Sequence, residues 1–237
     1  MRDEVFRHPR AQIVDFVFDE TVAAAFPDMI RRSVPGYETV VPITGLIAAR
    51  HARSGGNCYD LGCSLGATAI AILRQLETPG CRIIAVDNSQ AMLDRARTLH
   101  GDEVRIEWVQ ADVRDIEIEN ACAVVMNYTL QFVPSADRLE LLTRIRAGLD
   151  PSGVLIVSEK VRFGDEWCQS YFDHTHTAYK RANGYSALEV AQKRAALEQV
   201  LIPDRMEDHE ARFAAAGFGR VHTWFRCLNW VSYVAML

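Results

Sequence analysis

The sequence predicts an α/β fold built on an open, mainly parallel sheet, and three observations carry that prediction. Short β-branched runs alternate with longer helical stretches; a glycine-bearing loop, Gly62 to Gly66, separates the first run from the helix after it; and the last segment is rich in Val, Trp, Tyr and Phe. Alternation of this kind is the pattern of βαβ units around a central parallel sheet.

Taken in order, the first fifty residues precede the core and are expected to cover one side of it. Within them Ser33-Val34-Pro35-Gly36-Tyr37 predicts a turn with Pro35 and Gly36 at the central positions of type II. Strands are predicted at 57–61, 82–87, 105–110, 122–127 and 154–159. Between them, 67–76, 90–99 and 136–148 carry apolar residues at helical spacing and are rich in Ala, Leu and Arg. From 162 to 212 the pattern predicts a helical insertion, long enough for a lid, with a helix at 187–201 and no strand before Val221. Residues 221–237, interrupted near Asn229, predict two strands joined by a turn.

Composition narrows the function classes. The 237 residues carry 26 Lys+Arg against 31 Asp+Glu, a net charge of −5, which argues against an extensive nucleic-acid-binding surface. No stretch is apolar for the roughly 18 residues a membrane span needs, and Met1-Arg2-Asp3-Glu4 opens the chain with charge, so a cytoplasmic location is expected. The six cysteines form no Cys-x-x-Cys pair, so neither a zinc site nor a disulfide framework is expected, and they are expected to be buried thiols. His174 and His176, two apart on a predicted helix, point to different sides, and no metal is assigned.

The candidate binding residues lie at strand ends. Tyr59-Asp60-Leu61-Gly62-Cys63-Ser64-Leu65-Gly66 joins a strand to a helix with small residues that admit a ligand close to the backbone, although a plain turn has the same signature. Asp87, about 25 residues further on, stands where dinucleotide-type folds keep a carboxylate for ribose hydroxyls. Helix capping is the alternative there, with Asn88 or Ser89 as the cap. Asp112 suits an adenine amino group or a turn equally well. Asn127 and Tyr128 lack the intervening prolines of enzymes that methylate base amino groups, so that chemistry is disfavoured. Cations cluster at Lys180, Arg181, Lys193 and Arg194; a solvated helix face is the default reading, and an inward Arg194 anchoring an anion is the alternative.

Taken together, Phe26-Pro27-Asp28-Met29-Ile30, Arg32-Ser33-Val34-Pro35-Gly36-Tyr37, the glycine loop, Asn127-Tyr128-Thr129-Leu130-Gln131-Phe132, Ser158-Glu159-Lys160 and Lys180-Arg181-Ala182-Asn183-Gly184-Tyr185-Ser186 resemble the carboxy-S-adenosyl-L-methionine synthase family over nearly the whole chain. The resemblance implies a Rossmann-like class I S-adenosylmethionine-dependent methyltransferase fold, a seven-stranded sheet with a terminal antiparallel hairpin, as one domain. It implies that S-adenosylmethionine is substrate and carboxy-S-adenosylmethionine product, with prephenate giving up the carboxyl group and leaving as phenylpyruvate. A sulfonium ylide capturing carbon dioxide is the implied route, with the departing hydroxide of prephenate as base and no protein general base. Tyr37, Gly62, Cys63, Ser64, Asp87, Asn88, Asp112, Val113, Asn127 and Arg194 are the implied pocket residues, with Arg194 on the new carboxylate and other cations of the 160–212 segment, chiefly in the Lys180–Arg194 stretch, joining it on the anionic partner. On that reading Arg194→Ala weakens carboxylated-ligand binding by about 2–4 kcal/mol if the ion pair is desolvated. A homodimer is also implied, as is use of the product by a transferase modifying wobble uridine in transfer RNA, with no nucleic acid bound by this chain itself. Val113 and Tyr128 replace the usual Ile and Phe with residues of similar size. An ordinary methyltransferase of small acceptors and a silent cofactor-binding subunit are the competing readings.

Overall fold

The computed structural model describes residues 2–9, 15–101 and 103–237. Of the expected N-terminal cover, Met1 and residues 10–14 lie outside the described residues.

Two helices open the fold, α1 (Glu20–Ser33) and α2 (Tyr37–Arg50). Asp19 caps α1 by accepting from the Val22 N–H. The predicted turn joins the two helices: the Tyr37 N–H donates to the Val34 carbonyl, and Gly36, at φ 82° and ψ 1°, holds the left-handed corner of a type II turn.

The core alternates β1 (Asn57–Leu61), α3 (Ala67–Gln75), β2 (Arg82–Asp87), α4 (Gln90–His100), β3 (Ile106–Gln110), β4 (Ala121–Asn127), α5 (Arg138–Gly148) and β5 (Leu149–Arg162). Then come α6 (Glu166–Ala182), α7 (Ala187–Leu197), β6 (Asp204–Arg205), α8 (Met206–Ala215), β7 (Arg220–Cys227) and β8 (Trp230–Met236). Strand order is β3-β2-β1-β4-β5-β8-β7, with β6 added beside β5. The pairs among β1 to β5 are parallel, and β8 is antiparallel to both β5 and β7. The seven-stranded expectation describes the main path, and the two-residue β6 is an addition too short to leave a periodic signal.

Both faces of the sheet are covered, which explains why Ala123, Val124, Val125 and Met126 of β4 are all fully buried and show no alternation. On one face Leu141, Leu142 and Ile145 of α5 and Phe213 of α8 pack with Leu155 and Tyr233. On the other, Ala48, Ala69, Ile72 and Leu93 pack with Cys58, Ile83 and Val125. α8 therefore belongs to the sheet's own covering layer, although it falls largely within the segment whose sequence predicts an insertion. The helix expected at 187–201 ends at Leu197, and the strand expected at 154–159 runs from Leu149 to Arg162.

Arg138, fully buried, fastens the far end of the insertion. Its guanidinium donates to the carbonyls of Val133, Gln131 and Ile202 and pairs with Asp204 at 2.6 Å. Breaking a charge pair this deep typically costs several kcal/mol, because the surviving charge stays buried. The near side is tied to α1 by Arg32 Nε donating to the Asn183 carbonyl and by His176 Nε2 meeting the Ser33 carbonyl at 2.7 Å.

Candidate functional site

A cavity of about 880 Å³ opens over the carboxyl ends of β1, β2 and β4, roofed by α1, α6 and α7. β1 and β4 are adjacent, and the chain runs outward from them in opposite directions, the switch point where open α/β sheets bind ligands.

The glycine loop forms its floor. The N–H groups of Gly62 and Cys63 both donate to the Val86 carbonyl, at 2.8 and 2.9 Å, pinning the loop to β2. Gly62 holds φ +78°, and a Cβ there would lie 2.2 Å from Thr129 Oγ1, so position 62 has neither the dihedral nor the space for a side chain. Asp60, fully buried, accepts from the Ala69 N–H in the first turn of α3, and its pKa is raised to about 7, chiefly by burial.

Asp87 accepts from the Ser64 N–H at 2.8 Å through one oxygen and from the Ser89 N–H at 2.9 Å through the other. Burial raises its pKa while those two N–H groups hold it down. One lone pair on each oxygen is left for a paired hydroxyl donor. Ser89, rather than Asn88, caps α4 by accepting from the Met92 N–H, which leaves Asn88 on the cavity lining. Asp112 is gripped by Arg114, whose Nη2 lies 2.8 Å away, and that pairing lowers its pKa; Val113 lines the cavity beside it. Asn127 donates from Nδ2 to Thr68 Oγ1, and its buried Oδ1 has no hydrogen-bond partner among the described residues. A buried acceptor left open beside a cavity is a place for a ligand donor.

The opposite wall is cationic. Lys160 of β5, Lys180 of α6, and Lys193 and Arg194 of α7 all line the cavity. Lys193 donates to Ser33 Oγ at 3.0 Å and lies 3.8 Å from the carboxylate of Asp3, while Arg194, its side chain 71% exposed, sits at the rim 3.6 Å from Asp173. Among the described residues neither Lys160 nor Lys180 has a partner for its Nζ. Burial first, then the charges of Lys193, Lys160 and Arg194, lower the Lys180 pKa to about 7; Lys193 is lowered to about 8, again chiefly by burial. His176 is lowered to about 3 by burial and Lys180, so it is neutral and donates to Ser33. Between the two walls Tyr37 and Tyr128 face each other at 6.1 Å, and Trp230 closes edge-on against Tyr128 at 5.3 Å.

The ten sequence-predicted residues thus converge on one cavity. Arg194 differs in degree, standing at the mouth rather than inside. The sequence marks Lys180 as one of the cations between Lys180 and Arg194 expected to meet an anionic partner, and it gives Lys160, His176 and Trp230 no individual role. Lys160 and Trp230 lie in β5 and β8, His176 and Lys180 in α6, and no local pattern says that these separate elements share one cavity. The thiol expectation also needs amendment, since Cys58, Cys63, Cys81 and Cys122 are buried but Cys168 and Cys227 are partly exposed.

Fold and cavity together define a class I S-adenosylmethionine-dependent methyltransferase domain. Residues 59–153 match the methyltransferase domain family. A putative O-methyltransferase from Nostoc punctiforme superimposes with a TM-score of 0.64 at 16% identity, over 91% of this chain and 59% of that one. At 50% identity, over 99% of this chain and 98% of its own length, the chain is similar to carboxy-S-adenosyl-L-methionine synthase from Geobacter metallireducens. The corresponding synthase from Pseudomonas putida is 48% identical over 99% of this chain and 98% of its own. This chain belongs to the carboxy-S-adenosyl-L-methionine synthase family.

Proposed function

We propose that this protein converts S-adenosylmethionine and prephenate into carboxy-S-adenosylmethionine and phenylpyruvate. One observation carries the reading: a single cavity joins an acid-and-glycine floor to a wall of cations with few partners. An ordinary methyl acceptor has no use for Lys160 and Lys180 side by side, whereas a dicarboxylate supplies the charge they lack.

In this reading Asp87 accepts from the ribose hydroxyls, Asp112 and Val113 border the adenine, and the Asn127 Oδ1 takes a donor from the amino-acid portion. Gly62, Cys63, Ser64 and Asn88 form the cradle, and Tyr37 and Tyr128 confine the reacting centre. The sulfonium group acidifies the methyl carbon that receives the carboxyl group. The chain's own tasks are then to bind, orient and exclude water. Lys160 and Lys180 hold the carboxylates of prephenate, and Arg194 meets the carboxylate newly placed on the product. No side chain is asked to take the methyl proton, which leaves with the hydroxide expelled as the ring aromatises.

The α6–α7 segment closes over the occupied cavity, and its protease sensitivity falls with ligand; equal sensitivity with and without ligand counts against closure. A homodimer belongs to the same proposal, with exposed Trp167 and Tyr171 on α6 offering apolar area. So does consumption of the product by a transferase acting on wobble uridine, in the cytoplasm and without RNA contact by this chain.

Incubation with both substrates followed by mass measurement tests the reaction. A nucleoside product heavier by one carboxyl group is expected. Unaltered S-adenosylmethionine after full loss of prephenate, or a methylated acceptor, would overturn it.

A further inference from the structure

At the amino ends of the central strands, opposite the cavity, three cysteines that are far apart in sequence meet. Cys58 Sγ lies 3.9 Å from Cys81 Sγ, and Cys81 Sγ lies 3.9 Å from Cys122 Sγ, across 23 and 41 residues of chain. All three sulfurs fall within 4.8 Å of one another. Cys58 is in β1, Cys81 directly precedes β2 and Cys122 is the second residue of β4, so three neighbouring strands each deliver one thiol to a point.

The backbone is adapted to this meeting in two places. β4 carries a bulge here: Asn57 pairs with Ala121 and Cys58 with Ala123, leaving Cys122 as the extra residue. In a regular strand Cys122 and Ala123 would point to opposite faces, yet both pack with Cys58 in the same cluster. The bulge turns the third sulfur inward. Gly56 then makes room for it, because a Cβ at that position would lie 2.6 Å from Cys122 Sγ.

We propose that Cys58, Cys81 and Cys122 form a three-sulfur site for a soft monovalent d10 cation, copper(I). Metal–sulfur bonds of about 2.3 Å in a trigonal arrangement place the sulfurs about 4.0 Å apart, close to the spacing observed. Among the described residues no fourth His, Cys, Asp or Glu joins the group, which suits a three-coordinate copper(I) better than zinc, whose structural sites take four ligands. Binding displaces thiol protons to solvent and leaves thiolate charge in the site. Arg53, whose guanidinium is paired with Asp150, lies near enough for its charge to be felt at Cys81 and Cys122. The three thiols are buried, and the exposed residues 53–55 and 79–80 lie next to them in sequence, just before Gly56 and Cys81. Spacing along the chain predicted no metal site because the ligands come from three strands rather than one turn.

The test is anaerobic titration of the full reduced chain with copper(I) from a competing chelator, followed by X-ray absorption at the copper edge. Uptake of one equivalent with three sulfur neighbours is expected, at least tenfold weaker in Cys81→Ser and unchanged in the Cys168→Ser, Cys227→Ser double variant. The absorption spectrum of the unmutated chain keeps the test valid if Cys81→Ser fails to fold. Failure to take up one equivalent, nitrogen or oxygen in place of the three sulfurs, uptake that survives Cys81→Ser, or tighter binding of zinc would each overturn the proposal.

Discussion

The cavity wall formed by β1, β2 and β3 presents Asp87 and Asp112, each already holding donors of its own chain, whereas the wall formed by β5, α6 and α7 presents Lys160 and Lys180, whose Nζ groups make no hydrogen bond or ion pair among the described residues and feel the Asp173 carboxylate only from further off. Satisfied acids are rigid and ask only for further hydrogen-bond donors, the kind a ribose or an adenine supplies. Cations massed without partners lower one another's pKa and are relieved only by an anion. The first wall suits S-adenosylmethionine; the second suits the anionic co-substrate proposed above. If that division is correct, substitutions should separate the two ligands.

Asp87→Ala is expected to have the largest effect. It removes two acceptor oxygens for the ligand and also frees the Ser64 and Ser89 N–H groups that shape the loop. S-adenosylmethionine affinity should fall by about 3 kcal/mol, roughly a hundredfold, in calorimetric titration. A change confined to prephenate would erase the distinction between the walls.

Lys180→Ala comes next. Removing one cation from a desolvated anion site costs about 2–3 kcal/mol. The KM for prephenate should therefore rise tens of fold while the Kd for S-adenosylmethionine stays within about twofold. Equal losses for both ligands would mean that Lys180 only supports the fold.

The same lysine sets a pH dependence. Its pKa in the folded chain is lowered from 10.5 to about 7, so it is charged below pH 7 and largely neutral above. Prephenate affinity should fall as pH rises through 7, by at most tenfold per unit, and binding near pH 8 should take up a proton. Stability of the free protein runs the other way. A depressed lysine pKa gives a contribution that is complete above the unfolded value and is lost as pH falls toward 7. Calorimetry in buffers of different ionisation enthalpy checks the uptake, and Lys180→Ala should reduce it to the part that Lys193, lowered to about 8 in the same cavity, supplies.

What could be foreseen follows the same line between the walls. The core strands and the glycine loop were legible because period, turn residues and strand-end acids are local, and Gly62, Asp87 and Asn127 each act within a few residues of a strand end. Lys180 was legible only as one of several cations in a stretch, and its meeting with Lys160 was not legible at all, because β5 and α6 must first be brought together before their charges share a space. Arg138 was equally invisible: one of three arginines in an amphipathic helix reads as solvated like the others, and only the fold puts it under Ile202 and Asp204. The cysteine cluster depends on strand order and on a bulge, neither of which leaves a mark in spacing.

Arg194→Ala is expected to have the smallest effect, and its size reports on motion. With its side chain 71% exposed and Asp173 at 3.6 Å, Arg194 in the conformation described here belongs among surface ion pairs, worth about 1 kcal/mol or less. A loss near fivefold, confined to the carboxylated ligand, would match a site that stays open. The 2–4 kcal/mol expected for a desolvated pair requires α7 to carry Arg194 out of water when the ligand is bound. Comparing product affinities of Arg194→Ala and the unmutated chain therefore separates a fixed wall from a closing one, and equal losses for S-adenosylmethionine would remove Arg194 from carboxylate recognition altogether.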